Sequence, residues 1–192
     1  MADIAIITGA TGGIGMEFVK EIHLLDDIDE IWAVGRNKEK LKCLEEEYEK
    51  VVPIEADFAG NGICILGERI EKGNPNIRML VNNAGVAHMG AFEEMKKEDI
   101  DDFCRINCNA PSMLISMALP YMRTGARILN IASASSFQPN PYLSMYSASK
   151  VFLKNLSRAL SVELKQEASL LQQSVRDGWI PACFRKKRTE SP

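Results

Sequence analysis

The stretch that most constrains the fold is residues 4–15. A short apolar run, 4–7, meets Thr8-Gly9-Ala10-Thr11-Gly12-Gly13-Ile14-Gly15, and a helical pattern follows with Phe18, Val19, Ile22 and Leu25 on one face. An apolar strand that turns at once into an amphipathic helix is the start of a βα unit. Close-set glycines in such a turn permit positive φ, let the backbone approach a ligand, and let the helix pack tightly on the sheet. The helix N-terminus then presents unpaired N–H groups and the positive end of its dipole, which suits a pyrophosphate. A glycine-rich βα turn also occurs where nothing binds, so its weight depends on the rest of the chain.

The rest repeats the unit. Apolar runs at 31–34, 51–54, 77–81 and 126–131 alternate with helical patterns at 38–49, 61–72, 98–123 and 142–166. Five strands alternating with five helices predict a doubly wound parallel sheet with helices on both faces. At 192 residues with 46% apolar composition, one domain with a substantial core is expected. A net charge of −3 gives no general attraction to nucleic acid or anionic membrane. No apolar run approaches the ~18 residues of a membrane span. The strand begins at once after Met1-Ala2-Asp3, so no secretory leader is expected and the cytoplasm is the expected compartment. Cysteines 43, 64, 104, 108 and 183 lack zinc spacing; reduced, buried thiols and no metal site are expected.

A second chemical pattern lies at 127–150. A strand ends in a Ser-rich turn at Ser133, and a helix then carries Tyr146 and Lys150, four apart and so on one face. A phenol with its ordinary pKa of about 10 is a poor proton-transfer group at neutral pH, and a neighbouring ammonium favours its phenolate. A serine hydroxyl at the strand end would polarise a carbonyl. Taken alone, the pair also reads as a half-buried ring beside a solvated amine.

The Gly-x-x-x-Gly-x-Gly turn, Asn82-Asn83-Ala84-Gly85 and Tyr146-x-x-x-Lys150, in this order and on these elements, resemble the short-chain dehydrogenase/reductase family over residues 3 to about 166. The resemblance implies a Rossmann-type domain at 1–167 and hydride transfer between NAD(P) and a carbonyl or secondary alcohol. It implies a tetrad: Ser133, thirteen residues before the tyrosine, with Asn107, Tyr146 and Lys150. Tyr146 would exchange the proton, Ser133 would hold the substrate oxygen, and Lys150 would also bind the nicotinamide ribose.

Gly9, Thr11, Gly12, Gly13, Ile14 and Gly15 would cradle the cofactor phosphates, with Asp57 and Phe58 at the adenine and Asn83, Ala84 and Gly85 on the adenosine side. Asp57 also reads as a turn cap. An acidic residue at the end of the second strand would bind the NAD ribose. Here Gly35-Arg36-Asn37 stands instead. Arg36 pairing with a 2′-phosphate favours NADP, with NAD still admitted; a solvated loop arginine is the competing view. Pro111 has no N–H for the carbonyl of residue 107, which predicts a kink at Asn107. A homodimer or homotetramer is implied by the resemblance alone, and a nucleotide-binding protein without turnover is the rival function.

The resemblance stops at residue 168. The family's sixth strand, Pro-Gly turn, substrate lid and seventh strand find no counterpart in residues 168–192, which read as a disordered or out-of-frame tail. Gln173 to Gly178 can be encoded CAG TCT GTC CGG GAT GGA, and with the Trp codon that follows, a shift to the last base of the Gln codon yields Val-Cys-Pro-Gly-Trp. A frameshift is one account and chance the other, because the codons are chosen. An exposed sheet edge, poor stability and weak turnover are expected in consequence.

Overall fold

The computed structural model describes residues 1–164 together with the backbone of 170–174. Six parallel strands form one sheet in the order β3-β2-β1-β4-β5-β6. They are β1 (Asp3–Thr8), β2 (Glu30–Gly35), β3 (Val51–Glu55), β4 (Asn76–Asn82), β5 (Arg127–Ile131) and β6 (Leu170–Ser174). The helices are α1 (Ile14–His23), α2 (Lys38–Glu47), α3 (Gly62–Gly73), α4 (Lys97–Cys104), α5 (Ala110–Ala118) and α6 (Ser144–Glu163). This is the doubly wound Rossmann arrangement. Its order reverses between β1 and β4, and the crevice at their carboxyl ends is where such sheets bind ligands.

Alternation along each strand sends side chains to opposite faces, and both faces are covered. Ile4, Ile6, Val34, Leu80 and Ile128 pack with Leu66 of α3, Leu114 of α5 and Leu164 after α6. Ala5, Ile7, Ile31, Val81 and Leu129 pack with Val19 and Ile22 of α1 and Leu41 and Leu44 of α2. Burial on both sides explains why the strands read as unbroken apolar runs.

One polar chain crosses this interior. Asn82 and Asn130 are register partners on β4 and β5. Asn82 Nδ2 donates to Asn130 Oδ1 at 2.8 Å, Asn130 Nδ2 donates to Ser157 Oγ of α6 at 2.8 Å, and Ser157 Oγ donates to the Leu153 carbonyl at 2.7 Å. All three residues are buried.

Three expectations are corrected. First, a sixth strand exists: Leu170–Ser174 pairs in parallel with the whole of β5. Its sequence, LLQQS, has no β-branched residue, so propensity gave no signal; pairing to an open edge overrode it. β6 covers the edge of β5 and is itself the outermost strand of the sheet among the described residues, so the open edge passes from β5 to its neighbour. No strand beyond β6 occurs among the described residues, and the rest of 165–192 lies outside them. Second, the stretch 98–123 is not one unbroken α-helix, and the disturbance predicted at Asn107 takes the form of a π-helical turn. A π-helical turn, Arg105–Asn109, separates α4 from α5, with the Ala110 N–H reaching the Arg105 carbonyl. The missing N–H of Pro111 is absorbed there by widening the turn. Third, the four described cysteines are free, but Cys43, Cys64 and Cys104 are exposed and Cys108 only half-buried, so they are not core thiols. No group of side chains among the described residues can hold a metal, and no helix among them is long and apolar enough to cross a membrane.

Candidate active site

The glycine turn is held from behind. Thr8 Oγ1, at the end of β1, donates to the Val81 carbonyl at 3.2 Å and accepts from the Asn83 and Ala84 N–H groups, each at 3.0 Å. Asn83 returns the contact: its Nδ2 donates to the carbonyls of Thr8 and Gly9 at 3.1 and 3.0 Å. Thr8, absent from the predicted set, thus braces β1 to β4 at the point where the strand order reverses. Asn83 borders the cleft, but its amide braces the turn. Gly13, at φ 54°, caps α1 without any side chain, leaving the first N–H groups of the helix open toward the cleft. Gly15 packs against the turn so closely that a Cβ there would lie 2.1 Å from the Gly9 carbonyl oxygen.

Two adjoining clefts run along this edge. The first, about 510 Å³, is bordered by Thr11, Arg36, Lys40, Asp57 and Phe58. The second, about 300 Å³, is bordered by Gly12, Gly13, Ile14, Asn83, Tyr146 and Lys150. Gly9, Ala84, Gly85 and Val86 border both. Asn37 Oδ1 caps α2 by accepting the Lys40 N–H at 2.9 Å, which sets Lys40 on the first turn, facing the same cleft as Arg36. Arg36 makes no ion pair among the described residues. Asp57 Oδ1 accepts the Ala59 N–H at 3.1 Å, as a turn cap does, and the residue borders the first cleft. Phe58 is buried beneath it.

At the other end, α6 brings Tyr146 and Lys150 together, with Lys150 Nζ 5.5 Å from the Tyr146 ring centroid. Lys150, 5% exposed, donates to the Ile131 carbonyl at 2.7 Å, which ties α6 to the end of β5. Ser133, two residues further on, caps a 3-10 turn, Ala134–Ser136, by accepting the Ser135 N–H on its Oγ at 3.2 Å. That bond uses one lone pair of the hydroxyl; Ser133 is buried and borders neither of the two clefts.

Asn107 sits in the π-helical turn, buried. Its Oδ1 accepts the Val86 N–H and its Nδ2 donates to the Val86 carbonyl, both at 2.8 Å, and Nδ2 also reaches Ser149 Oγ at 3.2 Å. Ser149 Oγ in turn donates to the Tyr146 carbonyl at 2.8 Å. Asn107 therefore fastens the cleft wall at Val86 to the turn of α6 that carries the tyrosine. Asn107→Ala leaves two backbone groups of Val86 without partners and is expected to cost about 1–3 kcal/mol, read as a lower midpoint in urea with an unchanged slope.

The surrounding loops are apolar to mixed. Met89, Phe92, Phe137 and Tyr142 are exposed. The Gly90 N–H donates to the Tyr142 carbonyl at 3.0 Å, joining the loop after β4 to the loop before α6. Burial pushes the Cys108 thiol, beside Asn107 in the chain, above its ordinary pKa, with Cys104 adding to the rise. A raised pKa disfavours the thiolate, the form that reacts.

Lys40, Thr8 and Ser149 were not legible beforehand, since each acts through partners distant in sequence or as one helical residue among several. A hydroxyl ending the first strand, just before the glycine turn, was the available signal for Thr8.

A Rossmann sheet with an open helix N-terminus and a two-part cleft at the strand reversal defines a nucleotide-binding scaffold. The short chain dehydrogenase family profile matches residues 3–175, and the chain belongs to that family. The inactive hydroxysteroid dehydrogenase-like protein 1 of Pongo abelii is 31% identical over 180 residues, covering 89% of this chain and 54% of that protein. The very-long-chain 3-oxoacyl-CoA reductase-B of Danio rerio is 35% identical over 181 residues, covering 88% of this chain and 57% of that one. The chain spans about half the length of the curated relatives it matches. Among solved structures, a short-chain dehydrogenase from Sphingobium yanoikuyae in complex with NADPH superposes with a TM-score of 0.81 at 27% identity, over 90% of this chain and 70% of that one.

Proposed function

We propose that the chain is an NADP-preferring oxidoreductase acting on a carbonyl or secondary alcohol of a small molecule. The observation that carries this reading is the pair of adjoining clefts, with two cationic side chains at one end and Tyr146 with Lys150 at the other. The residues suit a dinucleotide: a Cβ at Gly12 or Gly13 would meet nothing within 4 Å, so the turn leaves open space at the cleft, and the uncapped N-terminus of α1 offers N–H donors to phosphate. Bound there, the nicotinamide supplies or accepts the hydride.

The chain's own residues handle the proton and the oxygen. Tyr146 gives its phenolic proton to the carbonyl oxygen in reduction and takes it back in oxidation. Lys150 offsets the negative charge left on the phenol oxygen. Ser133 donates its hydroxyl proton to the same substrate oxygen. Asn107, through Val86 and Ser149, holds this group to the cleft wall.

Arg36 and Lys40 supply the preference for a 2′-phosphate. Titration with NADPH and NADH, followed by nicotinamide fluorescence, tests it. Arg36→Ala is expected to weaken NADPH by about 10- to 100-fold, the worth of a charge-assisted hydrogen bond, while leaving NADH within about threefold. Equal losses for both would refute the assignment.

A second reading has one observation in its favour: a relative whose name calls it inactive. On that reading the chain binds cofactor without turnover. Saturable NADPH binding with no oxidation of NADPH across a panel of ketones and 3-oxoacyl thioesters would favour it.

A further inference from the structure

We propose that Lys154 is a positioning residue for Ser133, working as the second jaw of a clamp whose first jaw is Lys150. The two lysines lie one turn apart on α6, so they face the same side. Lys150 Nζ holds the Ile131 carbonyl, two residues before Ser133. Lys154 Nζ donates to the Ser136 carbonyl, three residues after it, and lies 4.4 Å from the ring centroid of Phe137. The segment that carries Ser133 is thus gripped on both sides by the helix that carries Tyr146.

The segment needs an outside hold. Its own structure is a single 3-10 turn, with the Ser136 N–H on the Ser133 carbonyl at 2.9 Å and the Phe137 N–H on the Ala134 carbonyl at 3.0 Å. Turns of this length have poor hydrogen-bond geometry and do not persist alone. Asn140 adds a bond from its Nδ2 to Ser135 Oγ at 2.9 Å, but it belongs to the same loop. Lys154 supplies a tie to a long helix. A lysine with no task sends its ammonium to water. This one is partly buried and directs its ammonium to a carbonyl and to the face of an exposed ring.

The chemical consequence concerns the Ser133 hydroxyl, whose direction follows from the Ser135 N–H it accepts. Releasing Ser136 lets that N–H, and with it the hydroxyl, swing. The kinetic part of this inference rests on the oxidoreductase reading, and the clamp itself does not.

The test compares the full chain with Lys154→Met, which keeps the apolar stem, and Lys154→Arg, which keeps the cationic donor. Hydrogen–deuterium exchange of the amides at 135–137 is expected to quicken about tenfold in Lys154→Met, with 146–153 unchanged. In the same variant kcat is expected to fall about tenfold, with the NADPH Kd unchanged. Lys154→Arg should restore both. Exchange at 135–137 equal to the parent's, or quickened along the whole of α6, overturns the clamp. A parent chain with no turnover counts against the oxidoreductase reading, while the exchange result still decides the clamp.

Discussion

Gly15→Ala is expected to abolish saturable NADPH binding and to destabilise the chain by at least about 1–3 kcal/mol, the usual range for overpacking. A Cβ at that position would lie 2.1 Å from the Gly9 carbonyl oxygen and 2.6 Å from Asn83 Nδ2. Neither can retreat cheaply. The Gly9 carbonyl is held by the Asn83 amide, and the Asn83 and Ala84 N–H groups are held by Thr8. The strain must then fall on α1, whose N-terminus moves away from the cleft it borders. At about 2–4 °C per kcal/mol for a chain of this size, the shift is visible in a thermal melt. Gly12→Ala is the control, because a Cβ there meets nothing within 4 Å. A melt at which the two variants coincide would sink the packing argument.

Tyr146→Phe is expected to lower kcat by about 10²–10⁴-fold, the contribution of a positioned proton donor. The change removes one oxygen and leaves the ring in place beside Lys150. Cofactor affinity is therefore expected to hold within about twofold, since the phosphate-facing residues lie at the glycine turn and beyond it. Steady-state rates with NADPH and a ketone panel, measured beside fluorescence titrations, separate the two quantities. A variant retaining more than a tenth of the parent's rate would remove Tyr146 from the proton-transfer role and leave Ser133 or water to carry it.

Local spacing was readable in the sequence, and contacts between distant residues were not. Residues 4–7 and 77–81 read as strands because burial on both faces makes them continuous apolar runs, and their ends fell within one residue of those observed. Gly9 to Gly15 and the Tyr146–Lys150 pair are visible as local spacings, and their weight comes from occurring together and in this order. Thr8, by contrast, meets Asn83 and Ala84 some 75 positions away, with |i−j| of 75 and 76, and no local pattern announces it. Lys40 and Lys154 each read as ordinary helix-surface cations until their neighbours are known. Pro111 predicted that the helix would be disturbed but not how: a kink and a π-helical turn both solve the missing N–H, and the packing of Asn107 on Val86 goes with the second. The strand at 170–174 was missed because its residues state no preference, and the sheet edge beside it decides.

The buried chain of Asn82, Asn130 and Ser157 has a consequence for how this sheet is assembled. Neighbouring parallel strands must find one another across long crossovers, here 48 positions between the two asparagines, and apolar runs of similar composition pair almost equally well when slid along one another. A one-residue slip turns every side chain to the other face, and a two-residue slip restores the apolar pattern while leaving the amides stranded without partners in the core. The observed alignment of β4, β5 and α6 lets both amides donate. The three residues thus act as a password for strand assembly: the hydrophobic surfaces accept several arrangements, and the asparagines favour the observed one.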